Sequence, residues 1–530
     1  MAAHQDREYF YEISKTKNSL FYGVIEADLT ASTLLSFGGS YSDQNGTPLN
    51  AGFPSYSNGR IVEFPRDRNL IANWSKRNLT TQTLFLDLKH KINEDWSITG
   101  RWNHSENDSF TRAVRVRGVP TANPVTGSGL GYTGFQTGYE ASNDALDFNL
   151  SGKGKYFGYA YDLLLGGDIK RTRLDQNNEE LIAPIGWTGS YGLAGLNVSD
   201  LLANGVVAPE PIGVMPHPSV KRKTKIKEEG IYARLRVDLM SDLHLIFGGR
   251  YANYRYDYWQ RNFNTSTGVQ TSYSPTKYED RGVFTPYAGL IYDLSKAWSL
   301  YGSVADIYTP QASYLRGPET SSSPLNPIKG RNFEIGIKGE LLQKRIFGSA
   351  AIYRIERTGA ALADTAFTTS SNSEDGSRCC YLNGGKEISQ GLDLEINGEL
   401  LPKLQVSVGY TYNQSKNKAN NNLPLNTLSP RHTLRFWSKY QLPNEFSRWS
   451  IGGGVTAQSE RSTAYIHHQP GYAIWSGFVE YKPTNKTTVS VNVGNIFDKH
   501  YYSALSTFSV YAGNIVGEPR SVSLTLRTRF

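Results

Sequence analysis

From Pro519 to Phe530 the chain alternates apolar and polar side chains without a break. Val522, Leu524, Leu526 and Phe530, with Thr528 among them, fall on one face of an extended strand; Ser521, Ser523, Thr525, Arg527 and Arg529 fall on the other. Such a strand sets a greasy row against hydrocarbon or a core, and a row with two arginines against water. One strand of this kind would suit a soluble sandwich equally well. The constraint comes from repetition. Phe21, Ile25, Ala27 and Leu29 oppose Tyr22, Glu26 and Asp28; Leu84, Leu86 and Leu88 oppose Phe85, Asp87 and Lys89; Leu392, Leu394 and Ile396 oppose Asp393, Glu395 and Asn397. Tight turns such as Asn93-Glu94-Asp95 alternate with Gly-, Pro- and Asn-rich loops of up to about 50 residues, and about 20 strands can be marked, counting residues 1–11 as the first.

A single closed core explains this poorly, because the polar rows carry charge too often and Tyr and Trp gather near the strand ends. Tyr is frequent (34) and Trp numbers 9, while Cys is only 2. Strands of about ten alternating residues, aromatic girdles, and short turns on one side with long loops on the other are the signature of a transmembrane barrel. Closure of the sheet also pairs every backbone group, as the bilayer demands. The expected fold class is therefore all-β, an antiparallel transmembrane β-barrel, as one barrel domain over 1–530. Unequal loops rule out the fixed period of a propeller. No run approaches 18 apolar residues, so a transmembrane helix is excluded. The formal charge is +8, spread along the chain. The nearest thing to a nucleic-acid stripe, Lys221 to Lys227, is short and runs straight into Glu228 and Glu229. No nucleic acid is expected as a partner.

Several motifs resemble one family. Asn495-Ile-Phe-Asp-Lys-His-Tyr501, Gly517-Glu-Pro-Arg520 and the terminal strand to Phe530 are similar to the C-terminal signature of TonB-dependent outer-membrane receptors. Asn332-Phe-Glu-Ile-Gly-Ile-Lys338, Ser389-Gln-Gly-Leu-Asp-Leu-Glu395, Pro430-Arg-His432 and Tyr287-Ala-Gly-Leu-Ile-Tyr292 resemble its internal barrel motifs. Within the family, Leu20 to Leu29 and Tyr308-Thr-Pro-Gln311 look most like ferric-siderophore receptors of the pyoverdine and hydroxamate (coprogen-like) type. The resemblance implies TonB-dependent uptake of an iron chelate across the bacterial outer membrane, with no enzymatic activity. It also implies a signal peptide, a TonB box, a plug and a barrel of about 22 strands. None of the first three is recognised here, and the chain looks as if it begins within the third barrel strand. The expectation is thus a receptor barrel of doubtful transport competence, the alternative being a plugless passive channel or a receptor remnant.

The implied partners are a ferric siderophore, outer-membrane lipid and lipopolysaccharide, the barrel-assembly machinery, and the TonB-ExbB-ExbD complex through a plug; the expected state is a monomer. No cofactor is expected, ferric iron entering only as the siderophore chelate. A protein grips such a chelate with aromatic faces and a few cationic donors. Loop aromatics are the candidates: Trp74 in the first long loop, Tyr314 and Arg316 in Pro310–Arg316, and, more weakly, Tyr56 and Tyr308. For most of these a girdle or loop-packing role is the commoner one. Asn495, Phe497, Asp498, Tyr501, Pro519, Arg520 and Phe530 are expected to be structural. Cys379 and Cys380 invite a vicinal disulfide in an oxidising compartment, and two cysteines do not make a metal site. No catalytic set and no metal site stand out; Asp393, Glu395 and Glu399 recur at a period of two, as a lumen-facing row would.

Overall fold

The computed structural model describes residues 1–48, 52–118, 122–182, 192–317, 323–364, 380–418, 429–462, 468–505 and 513–529. Among the described residues twenty strands follow one another in a single sheet, and one further short strand, Gly192–Leu196, pairs with the upper part of the sixth. The first ten are β1 (Ala2–Glu8), β2 (Lys15–Thr30), β3 (Thr33–Gly46), β4 (Lys76–Lys91), β5 (Trp96–Gly118), β6 (Leu130–Tyr156), β7 (Tyr159–Glu179), β8 (Val220–Asp238), β9 (Leu243–Phe263) and β10 (Gln270–Asp293). The second ten are β11 (Trp298–Thr309), β12 (Ile328–Leu341), β13 (Ile346–Ala363), β14 (Tyr381–Leu401), β15 (Leu404–Asn417), β16 (His432–Gln441), β17 (Trp449–Gln458), β18 (Tyr472–Tyr481), β19 (Thr487–Gly494) and β20 (Ser521–Thr528). Each pairs antiparallel with the next. Short turns close one end of the sheet. At Phe157-Gly158 both turn residues have positive φ (49° and 86°), the geometry a two-residue hairpin needs. The other end carries the long loops and a short helix, α1 (Val198–Asn204), whose N-cap Asn197 side chain accepts from the Ser199 N–H.

The apolar rows face outward. Ile231 is 66% exposed, Phe284 61% and Leu524 73%, which only a hydrocarbon surround makes favourable. Inside, polar groups bind one another across whole strands. Arg250 on β9 reaches over β8 to grip Asp168 on β7 with Nε at 3.0 Å and Nη2 at 2.6 Å. That reach passes above Gly230, where a Cβ would lie 2.8 Å from Arg250 Cζ. Tyr232 crosses Gly166 in the same way to donate to Asp147 at 2.7 Å. These glycines are spaces for longer neighbours.

Among the described residues no ladder joins β1 to β20. The two approach at the long-loop end, where Arg7 Nη2 meets Glu518 Oε1 at 3.2 Å and the buried Tyr11 hydroxyl donates to the Val516 carbonyl at 2.7 Å. Burial, then the Glu518 carboxylate, push the Tyr11 hydroxyl up to about 12, so it stays a donor.

At the long-loop end strands run on past their alternating stretches: β8 begins at Val220 and β10 at Gln270. There both faces meet water and the apolar–polar alternation disappears, although the backbone ladder continues. In β10 a bulge opposite Asn253, at Arg281-Gly282, also inverts the alternation, placing Asp280 and Tyr278 inside and Glu279 outside.

Candidate functional site

Two apolar clusters lie toward the long-loop end. In the larger, three loops and the upper parts of β5 and β6 bury Phe53, Val62, Leu70, Val114, Leu130 and Leu201 together with Val516 from the last loop. A β-bridge between Phe53 and Asn514 ties the first long loop to the last; the Asn514 amide donates to the Phe53 carbonyl at 2.9 Å and to Ser55 Oγ at 3.0 Å. Trp74 and Tyr56 pack against this cluster half-buried. The Trp74 indole N–H donates to the Ala208 carbonyl at 2.9 Å, so that part of the ring is structural. Trp74 nevertheless lines a cavity of about 790 Å³, together with Glu12, Arg68, Asn69 and Ala208. Packing and presentation coexist in this residue.

The second cluster is a tyrosine ladder inside the barrel. Tyr254, Tyr256 and Tyr258 recur at the strand period on β9 and are buried with Ala312 and half-buried Tyr278. Tyr278 donates to Asp280 at 2.7 Å, and Tyr308 donates to the same carboxylate. Beside it a cavity of about 710 Å³ is lined by Asp280, Tyr308, Asn326 and Asn383, and on the outer face of the wall by Phe284, Lys329 and Thr358. Arg316 Nη2 donates to Asn383 Oδ1 at 2.8 Å, and Asn383 donates on to the carbonyls of Asn326 and Gly359 at 2.9 Å. Tyr314 is 42% exposed and meets Tyr381 edge-on, ring centroids 4.9 Å apart. Gln311 fixes this loop by donating to the Asn326 and Gly359 carbonyls, both at 2.7 Å.

The five candidate residues therefore fall into two groups, Trp74 with Tyr56 and Tyr308 with Tyr314 and Arg316. The tyrosine ladder and Asp280 were not singled out in the sequence. The signal was present, since Tyr254-Arg-Tyr-Asp-Tyr258 puts three phenols on one strand face. What remained invisible was that Tyr278 and Tyr308, from two further strands, converge on the same carboxylate.

The signature residues of the last loop bind one another. Asn495 Nδ2 donates to the carbonyls of Lys499 and Glu518 at 2.9 Å, while its Oδ1 accepts from Lys499 N at 2.8 Å. Asp498 accepts from the Arg520 backbone N–H at 2.9 Å and from Arg66 Nη1 at 2.5 Å; these donors hold its carboxyl below the usual range. Burial, reinforced by Arg66, pushes the neighbouring His500 imidazole below its ordinary value and favours the neutral ring. Tyr501 covers Gly517, whose N–H donates to the Tyr501 carbonyl at 2.8 Å. Phe497 stands 73% exposed, edge-on to Trp475. Pro519 leads into β20. Cys380 is buried and carries no free thiol. Cys379 and Phe530 lie outside the described residues.

Comparison with known proteins fits this geometry. Residues 22–496 match the family described as TonB dependent receptor-like, beta-barrel. The chain is 30% identical to the ferric-pyoverdine M114 receptor PbuA of Pseudomonas sp. (strain M114), over 100% of this chain and 62% of that protein. It is 29% identical to the ferripyoverdine receptor of Pseudomonas aeruginosa, again over 100% of this chain and 62% of the relative. The chain thus spans about three fifths of the length of these curated relatives. Among solved structures, the outer-membrane ferripyoverdine receptor of Pseudomonas aeruginosa bound to ferripyoverdine superposes with a TM-score of 0.83 at 25% identity, over 99% of this chain and 67% of that one. The ferric-catecholate import receptor Fiu of E. coli K12, in its closed form, superposes equally well (0.83) at 18% identity, over 100% of this chain and 77% of that one; that likeness concerns the fold alone.

Proposed function

Because the chain belongs to the TonB-dependent receptor β-barrel family of the bacterial outer membrane, we propose that it forms the barrel and ligand-gripping loops of a receptor for a ferric siderophore of the pyoverdine kind. The observation that carries this reading is the pairing of rigid aromatics with polar cavities at the long-loop end. Trp74 lines one cavity beside Arg68, and in the second group Tyr308 and Tyr278 share the Asp280 carboxylate while Arg316 is bonded to Asn383. An iron chelate with a planar chromophore and anionic groups offers a flat face for the aromatic rings and acceptors for the cations. The iron stays with its chelator and is cargo. The curated relatives named for ferric pyoverdine support the choice of ligand class. Energised release would come from the TonB-ExbB-ExbD complex acting through a plug, and the barrel-assembly machinery would fold the barrel into the membrane. The test is a titration of the refolded chain in outer-membrane-like vesicles with ferric pyoverdine, read by tryptophan fluorescence. Saturable quenching by the ferric form is expected, and absence of quenching at every ligand concentration would overturn the reading.

A further inference from the structure

Inside the barrel, the tyrosine ladder is flanked by negative charge that its own neighbours leave uncompensated. One rung of the sheet places Lys170 on β7, Glu228 on β8, Tyr254 on β9 and Asp280 on β10 side by side. The next rung but one toward the long-loop end holds Thr172, Ile226, Tyr256 and Tyr278. All of these face inward, on the side opposite the exposed Ile231 and Tyr251. The bulge at Arg281-Gly282 is what turns Asp280 into the lumen. Pro286 has no N–H to give, and the ladder between β10 and β11 stops beside it, at Tyr287 and Ala305. Above that point the two strands share no ladder among the described residues, and Tyr308 of β11 reaches the Asp280 carboxylate with its hydroxyl instead.

The carboxylate so placed has donors but no counter-charge. Tyr278 and Tyr308 give it their O–H groups, and both are neutral. The surrounding arginines are committed elsewhere: Arg250 to Asp168, Arg281 to Glu279 and Arg331 to Asp306. Among the described residues Lys170, beside Glu228, and Lys329, on the outer face of the neighbouring cavity, ion-pair with neither Glu228 nor Asp280. Tyr254 supplies an independent sign. It is 9% exposed, its ring centroid lies 6.3 Å from that of Tyr278, and it stands between the two carboxylates. Yet its hydroxyl makes no hydrogen bond among the described residues, which is costly for a buried phenol.

The group that completes such a site carries positive charge and several N–H donors. An ammonium or guanidinium can donate to Asp280 and to the Tyr254 oxygen together, while the half-buried rings of Tyr278 and Tyr308 attract it through their faces. A bare metal ion fits less well, because no group of three His, Cys, Asp or Glu side chains suited to one occurs among the described residues. The site opens on the cavity that Asp280 and Tyr308 line, and Asn383 joins that cavity to Arg316. We propose that Asp280 and Tyr254, with Tyr278 and Tyr308, form a subsite for a cationic arm of the chelate, so that the receptor favours ferric siderophores bearing an ammonium, amidinium or guanidinium group. The inference rests on the ferric-siderophore reading and adds to it a charge requirement at a defined place.

The probe is ferric pyoverdine with a lysine in its peptide arm, the amine converted either to an acetamidine, which keeps the charge, or to the nearly isosteric acetamide, which loses it. Each is titrated against the refolded chain in outer-membrane-like vesicles and read by tryptophan fluorescence. Wild-type protein should bind the acetamidine form about tenfold more tightly than the acetamide form. Asp280→Asn keeps an acceptor for both phenols and removes only the charge, so it should erase most of that difference. Tyr254→Phe keeps the ring, loses the oxygen and should reduce the difference. Asp87→Asn, which removes a carboxylate at the short-turn end, should leave it whole. Equal affinities in wild type, an undiminished difference in Asp280→Asn or in Tyr254→Phe, or an equal loss in Asp87→Asn would each overturn the proposal. Absence of quenching by both derivatives and by unmodified ferric pyoverdine sinks the siderophore reading, whereas binding without preference sinks only this inference.

Discussion

Replacing Phe53 by Ala should loosen the loop cap without melting the barrel beneath it. Phe53 is 1% exposed, its ring centroid lies 5.0 Å from that of Phe64, and its backbone bridges to Asn514 in the last loop. Deleting a buried phenyl ring costs about 3–5 kcal/mol, from lost transfer energy and the cavity left behind. The barrel strands do not share that cluster, apart from the upper parts of β5 and β6 that wall it. The cost therefore falls on local opening of the cap, and about 3 kcal/mol raises the open population roughly 100-fold. Hydrogen exchange read by mass spectrometry is the assay. The amide of Phe53, bonded to the Asn514 carbonyl at 2.8 Å, and that of Val62, bonded to the Pro54 carbonyl at 3.0 Å, should exchange faster by about that factor in the variant. Peptides from β18 and β19 should be unchanged. Unaltered exchange in residues 52–64, or equal loss of protection in β18 and β19, would refute the picture of a loop layer packed independently of the wall.

Three further outcomes are expected. Gly230→Ala should place a methyl against the Arg250 guanidinium and break its bridge to Asp168, costing about 1–3 kcal/mol; the temperature at which the barrel loses its compact gel migration should fall by several degrees, and an unchanged value would contradict the crossing-strand account. Asp498 has a folded pKa held below its unfolded value near 3.8, so its contribution to the last loop is present above that value and disappears as the pH falls through the folded pKa. Protease susceptibility of residues 495–505 should accordingly stay low down to about pH 4 and rise below it, while Asp498→Asn should be susceptible already at pH 7; the same low susceptibility in both proteins at pH 7 would count against the role. For Cys379 and Cys380 the expected vicinal disulfide predicts no alkylation of the unreduced protein and two added groups after reduction, measured by intact mass.

The sequence reveals the membrane-embedded part of this fold better than the part that carries function, for a physical reason. Hydrocarbon outside and water inside force Leu392, Leu394 and Ile396 to alternate with Asp393, Glu395 and Asn397, and β14 follows that pattern. Above the bilayer both faces are wet, so nothing in Lys221–Lys227 or Gln270–Tyr278 advertises a strand, although each is one. The candidate site is half legible for a related reason. Trp74 and Tyr314 stand out as loop aromatics, but the residues that hold them, Ala208 for the first and Tyr381 for the second, are more than 60 positions away in sequence. Long-range convergence of loops, like that of Tyr278 and Tyr308 on Asp280, leaves no local periodic trace.

On the proposed reading the aromatic loops of this barrel grip a ferric siderophore. The most direct measurement is the dissociation constant for ferric pyoverdine of the wild-type chain, of Trp74→Ala and of Tyr314→Ala, each refolded in the same vesicles and read by retention of radioactive iron. Losing an aromatic face from a ligand contact should weaken binding by about tenfold in at least one variant, with the barrel intact by gel migration. Affinities unchanged in both variants would contradict the assignment of the site.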